Sequence, residues 1–291
     1  MSFGKDLSIE FEKLTAGVFY PEEDLFCKFQ DAFLAIKYHY PKYQYAVDII
    51  HGKKSHVDFV YNGSAISSIP HGTTKTKEMA DMMFVVLGNR SREIRLTYLQ
   101  NKKGSSSTRF KADLLQLYLL KERPQIISSP LPQCAFNDPD ILHNAILPSV
   151  GSYGVFYEDG TDIEMSYFPA GNISPLRKAG KSVVRTVQTS KSNFGKIKII
   201  SGFDESQGEK TVEDFGDSLT AMKIGTPFSK AKGDTMFSAL ISYFAKKSSI
   251  VGQSFQPQDN NGSDIEGEQD DWLTGAAVTV IIDSDRIRNG N

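Results

Sequence analysis

Three polar residues in the first half of the chain have the types and spacing of a hydrolytic site. Asp81 opens a strongly apolar segment, and Gln100 and Lys102 stand two residues apart at the end of the next one. Because side chains alternate between faces along a strand, Gln100 and Lys102 would share a face. A carboxylate, an amide oxygen and the peptide carbonyl of Asn101 could hold a hard divalent cation. The lysine ammonium could orient an attacking water or stabilise a negatively charged transition state.

Asp81, Gln100 and Lys102 also have a purely structural explanation. Gln, Asn and Lys are common at exposed strand ends, and an Asp can cap a strand. Glutamine adds no charge, so we expect the site to hold its cation more weakly than a site with two carboxylates, unless another acid helps. Glu78, three residues before Asp81, is one candidate. We also expect Asp81 and Lys102 to be exposed at strand ends, so that truncating either costs little stability.

Other catalytic signatures do not fit the sequence. Residues 72–78 lack the second Gly-Lys-Ser/Thr element of a P-loop, and Ser152 directly follows Gly151, which breaks the spacing of a nucleophile elbow. There is no dinucleotide-binding fingerprint. The five histidines have no zinc-ligand spacing with Cys27 or Cys134. The strand-end trio is therefore the best candidate for chemistry.

Composition and charge describe an ordinary chain. Its 291 residues are 40% hydrophobic, with 33 basic and 35 acidic side chains, enough for one large α/β domain or two small ones. No segment approaches the roughly 18 apolar residues of a membrane helix. Two distant cysteines and the lack of a leader pattern favour a reducing compartment. We expect a cytoplasmic protein without membrane contact.

The elements that must position the trio follow from periodicity. Pro21 and the acidic residues after it, followed by apolar residues at helical spacing, predict a helix over residues 20–40. A second helix is predicted at 111–123. Strands are predicted at 45–50, 55–62, 81–87 and 93–102, with a polar connection at 64–76 and a Ser-rich loop at 104–108.

The second half of the chain reads as β-rich. Strands are predicted at 154–157, 163–168, 183–187, 196–200 and 276–282, helices at 211–222 and 235–245, and a short helix or strand at 141–147. Residues 252–271 have the composition of a mobile acidic loop. The expected fold class is α/β, a central mixed β-sheet flanked by helices.

An acid, a turn and a strand that ends in Gln-x-Lys resemble the active-site signature of the PD-(D/E)xK nuclease superfamily, in its Gln-x-Lys variant. The matching segments are EMADMMFVVL at 78–87 and IRLTYLQNKKG at 94–104, and the resemblance covers about residues 20–125. It implies a restriction-endonuclease-like core in residues 1–130. Residues 131–291 would be a β-rich C-terminal elaboration of the same domain or a second subdomain.

The resemblance also implies an activity and further site residues. The expected function is a metal-dependent DNA endonuclease with Mg²⁺ or Mn²⁺ as cofactor, of a kind common in restriction and phage defence. In this superfamily a glutamate on the helix before the core strands often joins the site. Glu22, which shares the apolar face of that helix, is preferred to Glu23, although an acidic first turn that suits the helix dipole explains either.

Segment 111–120 resembles the Gln-containing helix of RecB-like members, so Gln116 could contact a DNA phosphate. A polar position on an amphipathic helix explains Gln116 as well. Positive charge is also concentrated locally, since residues 165–203 contain no acid and residues 90–111 contain only Glu93. The candidate nucleic-acid contacts are Lys103, Arg109, Lys111, Gln116, Arg177, Lys178, Lys181 and Arg185. A solvated surface is the alternative explanation of these basic stretches.

Cleavage of both strands of a duplex would need two such sites. We therefore expect a homodimer or a component of a larger defence complex. The competing hypotheses are a nucleic-acid-binding module without turnover and a protein-interaction module whose basic patches bind an acidic partner.

Overall fold

The computed structural model describes residues 2–36, 39–40, 56–64, 66, 68–88, 93–107, 109–128, 151–175, 183–186, 211–228 and 276–284. The helices in these ranges are α1 (Phe3–Thr15), α2 (Glu22–Ile36), α3 (Leu114–Glu122) and α4 (Val212–Thr220). The first strands are β1 (His56–Tyr61), β2 (Thr73–Glu78), β3 (Ala80–Gly88), β4 (Glu93–Ser106), β5 (Arg109–Lys111) and β6 (Ile126–Ser128). The later strands are β7 (Gly151–Asp159), β8 (Asp162–Pro169), β9 (Ile173–Pro175), β10 (Val183–Thr186), β11 (Thr226–Phe228) and β12 (Ala276–Asp283).

A mixed sheet of nine strands forms the centre of the described structure. β3 and β4 are antiparallel, β12 runs parallel to β3, and β7 runs parallel to β4. β8 continues antiparallel from β7, and β5, β10 and β9 extend the sheet from the far end of β4. Strands from before residue 130 and after residue 150 thus pair in one sheet. The expected α/β class, with a mixed sheet flanked by helices, is confirmed.

Helices α1, α2 and α4 cover one face of this sheet. Their apolar residues recur at helical spacing and meet every second residue of the strands, so that an aromatic core forms between helix and sheet. The rings in contact there include Phe11, Phe29, Phe33, Phe84, Phe156 and Phe215. Gly4 and Gly216 let α1 and α4 approach closely, since a Cβ at Gly4 would overlap the backbone of α4.

Helix α3 occupies the other face, together with a small sheet in the order β2-β1-β6. The ring of Tyr118 on α3 contacts Phe59 and Tyr61 of β1, with centroids 5.9 and 4.6 Å apart. Asp113 caps α3, because its carboxylate accepts hydrogen bonds from the N–H groups of Leu115 and Gln116. This contact fixes where α3 begins and therefore where Gln116 lies.

Several boundaries differ from the sequence predictions. The polar connection predicted at 64–76 contains the start of β2, whose alternating threonines and lysines suit a solvated edge strand. The predicted Ser-rich loop is shorter, since β4 continues to Ser106 and β5 follows. Helix α3 begins at Leu114 rather than 111 because of its cap. The predictions at 45–50, 141–147, 196–200, 235–245 and 252–271 lie outside the described residues.

Helix α1 is an element that the sequence analysis did not predict. Ser2 caps it by accepting a hydrogen bond from the N–H of Lys5, and Phe3, Leu7 and Phe11 are buried along one side. None of the helices in the described ranges is long and apolar enough to cross a membrane.

Candidate active site

Asp81 and Gln100 meet across the β3–β4 pair. Met82 is paired with Leu99 in this antiparallel ladder, so the next residues along the two strands, Asp81 and Gln100, lie opposite each other. Oδ2 of Asp81 accepts a hydrogen bond from Nε2 of Gln100 at 2.7 Å and from the peptide N–H of Asn101 at 2.6 Å. One carboxylate oxygen therefore binds to both the side chain and the backbone of β4.

Gln100 is connected in turn to helix α3. Its Oε1 accepts a hydrogen bond from Nε2 of Gln116, which also donates to the backbone carbonyl of Glu78 at 3.3 Å. The Gln100 side chain is buried. In this arrangement the amide nitrogen of Gln100, rather than its oxygen, faces Asp81, so ligation of a cation by Gln100 requires its amide to turn over.

Lys102 is held by the first residue of α2. Its ammonium lies 2.7 Å from Oε1 of Glu22, and Oε2 of Glu22 accepts a hydrogen bond from the peptide N–H of Lys103 at 3.0 Å. That N–H is available because β4 extends beyond its pairing with β3. Glu22 thus contacts both the side chain of Lys102 and the backbone of the next residue. Glu23, the alternative considered from sequence, is exposed.

The environment of Asp81 alters its ionisation. Burial raises the pKa of the Asp81 carboxyl to about 7; the nearby ammonium of Lys102 and the N–H of Asn101 oppose this rise, whereas Glu78 adds to it. A proton and a divalent cation would compete for this carboxylate at neutral pH. Lys102 and Glu78 are therefore close enough to Asp81 to act on it electrostatically.

The expectation that Asp81 and Lys102 are exposed at strand ends is wrong. The side chain of Lys102 is only 14% exposed, and Asp81 is partly buried. The physical reason is that the N-terminus of α2 and the start of α3 close over the ends of β3 and β4. Substitution at either position will consequently affect packing as well as chemistry.

The candidate nucleic-acid contacts lie in different environments in the described structure. The ammonium of Lys103 donates to the carbonyls of Phe19 and Tyr20 at 3.0 and 2.8 Å and lies 3.8 Å from the centroid of the Phe19 ring, so it holds the α1–α2 loop. Arg109 and Lys111 are exposed on β5, and the register places Arg185 of β10 opposite Arg109. Arg177, Lys178 and Lys181 lie outside the described residues.

The donor set can be compared with what a hard cation needs. The described residues contain no cluster of three or more His, Cys, Asp or Glu side chains that could hold a metal. Mg²⁺ is often bound by one or two carboxylates together with water and substrate phosphate, so few protein ligands are needed. Asp81 offers a carboxylate oxygen, but the oxygen of the Gln100 amide faces Gln116 rather than Asp81. The residues present fit a cation only if this amide turns over and water and substrate phosphate supply the remaining ligands.

Sequence reasoning missed Tyr153, which pairs with Gln100 in the parallel β4–β7 ladder. Its segment was considered as a nucleophile elbow around Ser152, and no local pattern links residues 151–156 to residues 98–103. Only the pairing of distant strands brings Tyr153 beside the site.

Comparison of the chain with models of known families, with curated proteins and with solved structures found no match.

Proposed function

We propose that this protein is a metal-dependent phosphodiesterase that cleaves DNA. The observation that supports the proposal is the convergence of Asp81, Gln100 and Lys102 at one end of the β3–β4 pair, with Lys102 fixed by Glu22. A carboxylate that can help to hold a metal ion and an ammonium that can stabilise charge on phosphate are groups that can serve phosphodiester hydrolysis.

Each residue has a distinct task in this proposal. Asp81, with Gln100 and the carbonyl of Asn101, would hold Mg²⁺ or Mn²⁺, which neutralises phosphate charge and lowers the pKa of an attacking water. Lys102 orients that water or stabilises charge on the phosphate in the transition state. Glu22 prevents the ammonium of Lys102 from swinging away from the strand ends.

The surface around the site offers a path for a polyanion. Arg109 and Lys111 are exposed on β5. This strand pairs with the end of β4, the strand that carries Lys102. Phosphate contacts of this kind would weaken steeply with salt. A homodimer or a larger defence assembly in the cytoplasm, with one site for each DNA strand, belongs to the same proposal.

The test is a cleavage assay with purified protein. Supercoiled plasmid, linear duplex, single-stranded DNA and RNA are incubated with Mg²⁺, Mn²⁺ or EDTA, in parallel for the natural chain, Lys102→Ala and Lys13→Ala. Lys13 is the control, because it lies exposed on α1 and pairs only with Glu10 within the described residues. We expect cleavage that EDTA abolishes and that falls at least about 100-fold in Lys102→Ala alone.

Absence of cleavage on every substrate would contradict the proposal. Salt-dependent DNA binding without cleavage would indicate a binding module instead. Absence of both would favour a protein-interaction role.

A further inference from the structure

Tyr153 of β7 lies directly beside Gln100. The two residues are paired in the parallel ladder, so their side chains point to the same face of the sheet, the face that carries Asp81. The Tyr153 ring is fully buried and packs against Phe110, with centroids 5.5 Å apart. Tyr153 is therefore a fixed part of the wall behind the candidate site.

The hydroxyl of Tyr153 is enclosed and has no hydrogen-bond partner among the residues that the structure describes. A buried polar group left in this state costs about 1–3 kcal/mol, and such groups are rare in folded proteins. Burial raises the pKa of Tyr153 well above its usual range, and the carboxylates of Asp113 and Asp81 raise it further. The group is thus a protonated donor close to two acids.

Both oxygens of one of those acids, Asp113, already have partners. Oδ1 of Asp113 accepts from the N–H groups that begin α3, and its Oδ2 lies 2.5 Å from the ammonium of Lys77. Asp81 uses Oδ2 for both of its hydrogen bonds within the described part of the chain. Oδ1 of Asp81 therefore accepts no hydrogen bond within the described residues, and the Tyr153 hydroxyl makes no direct hydrogen bond to it.

We propose that Tyr153 is a positioning residue of this site, whose hydroxyl donates a hydrogen bond to one buried water that in turn donates to Oδ1 of Asp81. Gln100 and Asn101 hold one oxygen of the carboxylate, and Tyr153 holds the other through this water. The carboxylate then keeps one orientation against the charges of Lys102 and Glu78. The proposed role of Tyr153 in orienting Asp81 does not depend on the protein being a nuclease; only its effect on cation binding rests on the proposed function.

A double-mutant cycle on the metal-free protein tests the hydrogen bond. We expect Tyr153→Phe to raise the unfolding equilibrium constant about fivefold in the natural chain and less than about twofold in the Asp81→Ala background. Tyr167→Phe is the control, since Tyr167 is also fully buried but pairs with Gly154 and lies on the opposite face. Its effect should be equal in both backgrounds. If Asp81→Ala does not fold, Asp81→Leu, which has a similar size and no acceptor, takes its place, and the effect of Tyr153→Phe should shrink in the same way.

Two further readouts separate positioning from simple packing. The ¹³Cγ resonance of Asp81 at pH 9 should shift in Tyr153→Phe and not in Tyr167→Phe. The dissociation constant for Mn²⁺, measured by calorimetry, should rise about fivefold in Tyr153→Phe alone. An equal effect of Tyr153→Phe in both backgrounds, or an unmoved Asp81 resonance, would overturn the inference. If the natural chain binds no Mn²⁺, the proposed function fails, while the cycle and the resonance still decide the role of Tyr153.

Discussion

At the scale of single residues, Asp81 is the most consequential side chain because its carboxyl is partly buried where β3 meets β4. With a pKa of about 7 in place of 3.8, the folded protein retains a proton between about pH 4 and 7 that the unfolded chain releases. Stability therefore falls as the pH rises through this window and stays low above it. Because the ionised Asp81 carboxylate lowers the stability of the fold, its presence here agrees with a functional role rather than a stabilising one.

The first prediction concerns Asp81→Asn, which preserves the shape but cannot ionise. We expect the free energy of unfolding to rise by about 2–4 kcal/mol at pH 8 and to change by less than about 1 kcal/mol at pH 4. Urea titrations at both pH values measure this difference. An equal change at the two pH values would show that Asp81 does not titrate near neutrality.

The second prediction concerns Lys102→Ala, which removes a mostly buried ammonium and leaves Glu22 without its partner. Because Glu22 is itself 41% exposed, water can solvate the remaining carboxylate. We expect a loss of about 1 kcal/mol in the free energy of unfolding, measured by urea titration. A loss above about 3 kcal/mol would mean that the pair is far more deeply desolvated than its exposure indicates.

At the scale of elements, the N-terminus of α2 determines how Lys102 is presented. Glu22 and Glu23 are adjacent and both belong to the acidic first turn, yet only Glu22 contacts β4 among the described residues. The two glutamates therefore form a matched pair in which the helix-dipole contribution is similar and the contact with β4 differs.

The third prediction compares Glu22→Gln with Glu23→Gln. We expect the rate of DNA cleavage to fall about tenfold in Glu22→Gln, because Lys102 loses its charged partner, and to be unchanged in Glu23→Gln. Single-turnover rates under identical salt conditions give the comparison. Equal rates in the two variants would assign both glutamates to the helix dipole alone.

The fourth prediction concerns the cap of α3, which places Gln116 against Gln100. Asp113→Ala removes the cap and the ion pair with Lys77, whereas Asp113→Asn keeps an oxygen for the cap and loses only the ion pair. We expect losses of about 1–2 kcal/mol for Ala and less than about 1 kcal/mol for Asn. Thermal unfolding of both variants measures them, and equal losses would deny the capping role.

The elements also show how far sequence reasoning reaches. Strands β3 and β4 and helix α2 were predicted closely, because alternation and helical spacing are local signals. Helix α1 carried the same signal in Phe3, Leu7 and Phe11, but that segment was considered only as a possible leader. The Asp81, Gln100 and Lys102 group followed from spacing, and Glu22 and Gln116 from resemblance. Tyr153 could not be found, since nothing local encodes the parallel pairing of β4 with β7.

At the scale of the whole molecule, the sheet is assembled from distant parts of the chain. β12, at residues 276–283, pairs with β3, and its Val280 and Ile282 are fully buried in the core shared with α1, α2 and α4. Their burial contributes about 1.5–3 kcal/mol each, and β12 also satisfies the backbone of β3 along its length.

The fifth prediction is that truncation after residue 275 prevents stable folding, whereas truncation after residue 284 does not. The first variant exposes the apolar edge of β3, which favours pairing with other chains. Size-exclusion chromatography and the soluble fraction after expression distinguish the two variants. A soluble, cooperatively unfolding product from the shorter chain would show that β12 is dispensable.

The pairing of β3 with β12 also imposes an order of events during synthesis. The ribosome releases β3 and β4, which carry Asp81, Gln100 and Lys102, long before it releases residues 276–283. Through most of translation, the edge of β3 that β12 will cover is therefore unpaired in the nascent chain. A protein with this topology completes the sheet beside Asp81, Gln100 and Lys102 only after nearly all of the described chain has emerged.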